Sequence, residues 1–373
     1  MRVTKLSVNI DSVIYLQFAK ILTYTILTYL IAMWWAPSLV EVLVWLKFWK
    51  KKSRDIATTG EKLTVTKAFY DRDEAKIKVP RAGGLLIWVT AIVFALFFWI
   101  LLKADPTNKL FQFLNFVSRR WTFIPIGTLF VGSIIGFIDD ALATLESGGN
   151  YKAGGGLKLS HRIVLVTILS FLIGVWFYFK LNLVNVDIIP GVLNLKSLGA
   201  DWLIIPMTTV SLVALWSSSV IDGFDGLAAG TFIPIYLCFA SIAFIRGFFD
   251  IATLMMVLVG SMVAYLWFNI SPARFFMGDT GCVGVLLTLG VVAFLTNTVY
   301  ILPIAGIMLV ITSGSNIIQI LSKKIRKKKV FLAAPFHHHL EGLGWSRSQV
   351  TARYWIVTVM ASALGLVFGL LVR

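Results

Sequence analysis

The chain has 373 residues, 58% of them hydrophobic and only 14% charged, with a formal net charge of +16. At a mean hydropathy of +0.85, a soluble domain would expose far too much apolar surface, so the composition excludes one and points to an integral membrane protein. The positive charge does not imply nucleic acid. Its largest blocks, KFWKKKSR at 47–54 and KKIRKKK at 323–329, abut apolar segments, where they anchor at anionic lipid headgroups or attract an anionic substrate.

From the N-terminus, MRVTKLSVNIDSVIYLQF has two basic residues but no short apolar run ending in an A-x-A-like site. It reads as a retained segment rather than a cleaved signal. A helix needs ~20 apolar residues to cross about 30 Å of hydrocarbon. The runs that qualify are 13–35, 83–102, 121–138, 163–179, 202–218, 228–245, 250–268, 282–297, 299–321 and 353–371. The spacing thus predicts an all-α membrane protein of about ten transmembrane helices, a single domain over 1–373. Only TNTVY separates the eighth and ninth runs. The segment 180–200 alternates apolar and polar residues around Pro190-Gly191 and reads as an outer-face hairpin. Cys238 and Cys282 fall in or beside apolar stretches and read as small core residues, not a disulfide.

Orientation follows from the loops. Segments 47–81, 139–162, 218–228, 269–281 and 322–353 hold 23 of the 34 Lys and Arg residues. By the positive-inside rule these face the cytoplasm and both termini lie outside. Five aspartates fall on that same face: Asp139 and Asp140 in GFIDD, Asp222 and Asp225 in VIDGFDGL, and Asp279 in FFMGDTG. A carboxylate beside a span is costly, at about 2.5–3.5 kcal/mol for an Asp at a helix centre, and persists where it pairs, binds metal or lines a wet cavity. One such motif could be a snorkelling helix-end acid. Three on one face define a polar site on the cytoplasmic side.

Asp222 and Asp225 are three apart and would share a helical face, although Gly223 and Gly226 weaken a regular helix and allow close backbone approach to a ligand. Asp139 and Asp140 would point about 100° apart, so one can coordinate while the other orients a Lys or a proton. Hard carboxylate oxygens suit Mg²⁺ or Mn²⁺, and no His or Cys stands at metal spacing beside them. With basic loops around, the expectation is phosphate chemistry on a magnesium diphosphate. A second constellation, PFHHHLEGLGW, places His337, His338 and His339 in the loop 322–352. In non-helical backbone, alternate histidines would point the same way and could serve phosphate oxygens as donors or acids. KIKVPRAGG sets Lys76, Lys78 and Arg81 beside Gly83-Gly84 as phosphate contacts or membrane anchors, and Phe276 could stack on a nucleobase.

GFIDD, the DG-x-DG of 222–226, N-x-x-P-A at 269–273 running into FMGD-x-G, and HHH-x-E at 337–341 together resemble the polyprenyl-phosphate N-acetylhexosamine-1-phosphate transferases. Within them, APFHHHLEGLGWSRSQVTARYW is similar to the signature of the phospho-N-acetylmuramoyl-pentapeptide transferases. The likeness runs from Lys76 to the last span. It implies transfer of phospho-MurNAc-pentapeptide from UDP-MurNAc-pentapeptide to undecaprenyl phosphate with Mg²⁺, giving lipid I and UMP, in the cytoplasmic membrane of a bacterium. It also implies an active-site cleft opening to the cytoplasm, membrane lipids as surroundings and a homodimer. By residue, the resemblance makes Asp279 the best metal ligand with Asp222 close by. Asp139 becomes the candidate base or lipid-phosphate aspartate, and Asp140 its supporting neighbour. Asp225, Asn269 and Phe276 would hold the uridine, with Gly278 in the same substrate-binding set. Lys76 lies near the nucleotide, and Gln319, Ala334, His337 and His338 match sugar- and phosphate-side positions.

This chain departs from the pattern in places. The usual Asn three residues before DG-x-DG is Ser219. P-T-M-G-G becomes Pro80-Arg81-Ala82-Gly83-Gly84, the Lys three residues after the DD pair is Ala143, GD-x-GS ends in Cys282, and a Glu becomes Thr312. These changes touch substrate contacts and leave the aspartates and histidines in place. A sister transferase using UDP-GlcNAc would share the aspartates without needing HHH-x-E. A secondary transporter would place carboxylates near the bilayer midplane, on discontinuous helices and internal repeats.

Overall fold

The computed structural model describes residues 2–49, 79–145, 156–183, 186–189, 193–196 and 199–372. In chain order the helices are α1 (Arg2–Trp45), α2 (Leu85–Ala104), the short α3 (Lys109–Leu114), α4 (Phe123–Leu145), α5 (Leu159–Phe179), α6 (Ile204–Trp216), α7 (Leu227–Ile245), α8 (Phe249–Asn269) and α9 (Gly278–Leu295). They continue with α10 (Leu302–Ala305), α11 (Ile307–Arg326), α12 (Phe336–Gly342) and α13 (Arg347–Leu371). Among the described residues, nine helices are long and apolar enough to cross a membrane. The pair Val299–Ala305 and Ile307–Arg326, bent by 80° at Gly306, brings the number to ten if it is counted as one broken span. The expected all-helical membrane bundle is therefore what the chain forms. The exception is one short antiparallel strand pair, β1 (Asp187–Ile189) with β2 (Leu193–Asn194).

Several boundaries differ from the sequence expectation. α1 continues past Pro37 to Trp45 because Ala36, Leu39 and Leu43 are buried and hold the segment against the bundle. α4 runs on to Leu145, so Asp139 and Asp140 lie on the helix and not beyond its end. α9 starts at Gly278, so Asp279 occupies its first turn.

α9 is the central helix, buried along nearly its whole length, whereas α1, α5 and α13 present aliphatic side chains outward. Lipid tails are as apolar as leucine, so burial gives little drive for helices to associate in a bilayer. Close packing of small residues takes over that task. The most extensive helix pairing among the described residues, α4 with α9, follows this rule. At Gly136 the backbone of α4 meets the carbonyl of Asp279 so closely that a Cβ would overlap it. This contact sets Asp139 and Asp140, one turn further along α4, beside the first turn of α9.

Gly136→Ala is expected to lower the stability of the detergent-solubilised protein by at least about 1–3 kcal/mol, the usual cost of overpacking. Gly127→Ala, on the same helix with nothing within 4 Å of the added Cβ, should leave thermal unfolding unchanged. Unfolding curves of the two variants side by side check this.

Candidate active site

A helix begins with N–H groups that have no intrahelical acceptor, and its amino end carries partial positive charge. At the start of α9 these donors are met by carboxylates from elsewhere in the chain. Asp222 Oδ2 accepts from the Gly278 N–H at 2.8 Å. Asp140 Oδ2 accepts from the Thr280 N–H at 2.9 Å and from its hydroxyl at 2.8 Å. The third acid, Asp279, sits in the first turn itself. Three motifs far apart in sequence thus converge on one helix end for an elementary hydrogen-bonding reason.

Asp139, Asp140 and Asp279 each place a carboxylate oxygen within 4.8 Å of the others. They are unequally available. Asp140 is fully buried, with Oδ2 given to Thr280 and Oδ1 facing Arg81 Nη1 at 3.3 Å. Asp139 Oδ1 accepts from the Leu157 N–H at 2.8 Å. Arg162, from the first turn of α5, bridges the remaining pair: its guanidinium lies 2.5 Å from Asp279 Oδ2 and 3.4 Å from Asp139 Oδ2. The Trp216 ring lies 5.7 Å from the same guanidinium. Asp222 stands outside that trio, and its Oδ1 is shielded from solvent with no hydrogen-bond partner among the described residues. Burial pushes its carboxyl up to about 6, against the lowering effect of the Gly278 N–H and Arg81.

The Asp222–Gly226 segment is a tight turn between two helices, not a helix with both acids on one face. Asn269, wholly buried, fastens the turn: Oδ1 accepts from the Gly226 N–H at 2.9 Å and Nδ2 donates to the Phe275 carbonyl at 2.8 Å. Asp225 Oδ2 accepts from the Ala273 N–H at 3.3 Å. Thr351 and Trp355 of α13 donate to the carbonyls of Asp225 and Gly226 at 3.3 and 3.0 Å. Phe276 is half-buried, and its backbone pairs with the entrance to α2 through Phe276 N–H to Pro80 O (2.9 Å) and Gly83 N–H to Phe276 O (2.8 Å).

The histidines correct an expectation. They lie on a short helix, α12, which starts directly after Pro335, a residue suited to helix starts, so consecutive rings point in different directions. His337 points inward, entirely buried, against Phe224 at 5.0 Å and Gly223, where a Cβ would stand 2.5 Å from its Nε2. Neither of its ring nitrogens has a hydrogen-bond partner among the described residues. Burial, with His338 beside it, holds His337 well below its ordinary 6.5 and therefore neutral. His338 Nδ1 lies 3.0 Å from Glu341, which also pairs with Arg347 at 2.7 Å. Burial alone would raise Glu341, but hydrogen bonds to His338 and Arg347 outweigh it and hold the carboxyl low. His339 Nδ1 accepts from the Leu332 N–H at 3.2 Å.

Gln319, on α11, spends its amide on the following loop, accepting from Val330 and Phe331 at 3.0 Å and donating to the Phe331 carbonyl at 3.1 Å. Ala334 is half-buried just ahead of Pro335. Lys76 lies outside the described residues. Arg162, Thr280 and Phe224 were not singled out by sequence reasoning. Arg162 is one of three basic residues in 139–162 and reads there as a membrane anchor. Thr280 and Phe224 sat unremarked inside the aspartate motifs.

Residues 122–297 match the family model described as glycosyl transferase family 4, which puts the helical bundle among the transferases of that class. Curated relatives narrow it. The chain is 32% identical over 310 residues to the phospho-N-acetylmuramoyl-pentapeptide-transferase of Methylacidiphilum infernorum, covering 78% of this chain and 79% of the relative. Against the protein of that name from Chlamydia pneumoniae, identity is 30% over 347 residues, or 88% and 89% of the two chains. With that of Bartonella quintana it is 31% over 310 residues, or 78% and 80%. The chain belongs to the phospho-N-acetylmuramoyl-pentapeptide-transferase family.

A neutral buried histidine has a signature. Below pH 6.5 the unfolded chain takes up a proton at His337 that the folded chain does not, so this group's contribution to stability falls as pH drops below 6.5. The slope is on the order of 1 kcal/mol per pH unit. Thermal unfolding of wild type and His337→Gln between pH 7.5 and 5.5 should show the steeper acid-side loss in wild type. Equal slopes would contradict the buried neutral assignment.

Proposed function

We propose that this chain transfers phospho-MurNAc-pentapeptide from UDP-MurNAc-pentapeptide to undecaprenyl phosphate, releasing UMP and forming lipid I on the cytoplasmic side of a bacterial inner membrane. The observation that carries this reading is the convergence of the aspartate motifs on the amino end of α9, in a chain whose relatives bear that enzyme's name. The HHH-x-E segment, docked on the turn that contains Asp222 through Phe224, favours the muramyl substrate over UDP-GlcNAc.

The donor set fits Mg²⁺: hard carboxylate oxygens drawn together, with no softer ligand among them. Asp279 and Asp139 would hold the ion, with Asp222 Oδ1, which has no hydrogen-bond partner among the described residues, as a further donor. Asp140, committed to Thr280 and Arg81, supports them. When bound, Mg²⁺ supplies neutralisation of diphosphate charge, which such transfers need more than covalent help.

The remaining work belongs to side chains. A phosphate monoester is mostly ionised near pH 7, its second pKa being about 6, so the transfer needs no strong base, and Asp139 beside the ion serves to align the attacking oxygen. That oxygen bonds to the sugar-linked phosphorus as the bond to UMP breaks. Arg162 follows the charge between carboxylates and phosphates. His337, kept neutral, offers an N–H toward phosphate oxygens without adding charge. Phe276 stacks on uracil, Asp225, Asn269, Gly278 and Lys76 complete the nucleotide side, and Gln319, Ala334 and His338 shape the sugar side. The enzyme works as a homodimer surrounded by membrane lipids.

The test is UMP release by purified protein in detergent, with undecaprenyl phosphate and Mg²⁺, offered the muramyl-pentapeptide or the GlcNAc nucleotide. Turnover of the muramyl substrate alone is expected, falling on the order of 10²-fold or more in Asp279→Asn. Turnover of UDP-GlcNAc instead would overturn the substrate assignment.

A further inference from the structure

A buried carboxylate costs several kcal/mol in desolvation unless an opposite charge and hydrogen bonds offset it. Asp140 is 0% exposed, yet the residues one turn away on its own helix are Gly136, Phe137, Ala143 and Thr144, none of them cationic. Its cation arrives from outside α4: Arg81 Nη1 lies 3.3 Å from Asp140 Oδ1. Arg81 is firmly based. Its N–H donates to the Phe48 carbonyl at 2.8 Å, and the glycines that follow are stitched to the entrance of α9 by Gly83 N–H to Phe276 O (2.8 Å) and Gly84 N–H to Met277 O (3.0 Å). The other oxygen of Asp140 takes both donors of Thr280, the neighbour of Asp279.

We propose that Arg81 is a positioning residue for the transfer and that it acts through Asp140. By holding the charged carboxylate against Thr280, it fixes the first turn of α9 so that Asp279 faces Asp139. The pattern this chain resembles has a lysine at position 143 and a threonine at position 81, where this chain has Ala143 and Arg81. A lysine at 143 would lie at i+3 from Asp140 and lean toward the helix N-terminus, within reach of the same oxygen. The two departures, Arg81 and Ala143, are then one compensated exchange. This rests on the reading that Asp139 and Asp279 bind the divalent cation.

The experiment compares wild type, Arg81→Thr, Arg81→Lys and the double variant Arg81→Thr with Ala143→Lys. Two readouts are needed: Mn²⁺ affinity without substrate, by the loss of the free-ion EPR signal, and UMP release at saturating Mg²⁺. Arg81→Thr is expected to weaken Mn²⁺ binding and to lower kcat by roughly 10–100-fold, the usual cost of losing an outer-shell partner. KM for the UDP-sugar should move by less than about threefold if Arg81 acts through Asp140 and not on the substrate's phosphates. The lysine variant should recover part of both losses and the double variant most of both. Wild-type Mn²⁺ affinity in Arg81→Thr would overturn the proposal, as would a rise in KM alone or no recovery in the double variant. If Arg81→Thr does not fold, the double variant must fold and bind Mn²⁺, and its failure would equally overturn it. A wild-type protein that binds Mn²⁺ but releases no UMP would defeat the functional reading while leaving the Mn²⁺ comparison to decide on Arg81.

Discussion

The amino end of α9 is the point on which the rest of the molecule depends. Its first N–H groups emerge inside the protein, away from water, and an unmatched buried donor is costly. Asp140 and Asp222 satisfy them from α4 and from the turn before α7. A helix end favours negative charge, so the structural need for acceptors and the chemical need for clustered carboxylates are met by the same groups. Capping thereby concentrates negative charge where a cation and an anionic substrate can meet.

That concentration has to be balanced. Arg81 and Arg162 do so, one against Asp140 and the other across Asp139 and Asp279. The helices must also come close enough for short side chains to reach one another. In a bilayer this closeness comes from small residues, and the contact of Gly136 with the start of α9 provides it. Around this rigid centre, the histidine helix is attached less directly, through Phe224, His337 and the Glu341–Arg347 pair. The broken crossing at Gly306 and the amide of Gln319 lead the chain into it.

Much of this was legible in the sequence. Apolar run length located the nine long helices and the broken pair because hydrocarbon thickness leaves little freedom, and the cost of carboxylates near a membrane singled out the aspartates. Periodicity could not report where helices end when polar residues find partners in tertiary structure. Asp139, Asp140 and Asp279 therefore sit on helices that were expected to stop short of them. The histidines were harder still. Three identical neighbours carry no periodic signal, and only the packing of His337 under Phe224 distinguishes the buried ring from its neighbours. Arg162 was hidden for a different reason: among basic loops, an arginine that neutralises acids looks the same as one that anchors lipid headgroups.

The measurement that bears most directly on the clustered carboxylates as a cation site is the stoichiometry of Mn²⁺ binding to the purified protein. It would be followed by EPR in wild type, Asp139→Asn and Asp279→Asn. One tight site per chain, lost or weakened at least about tenfold in both variants, is expected if these two acids face one ion. Binding that is unchanged in both would contradict it, and the aspartates would then serve only to cap α9 and pair with its arginines.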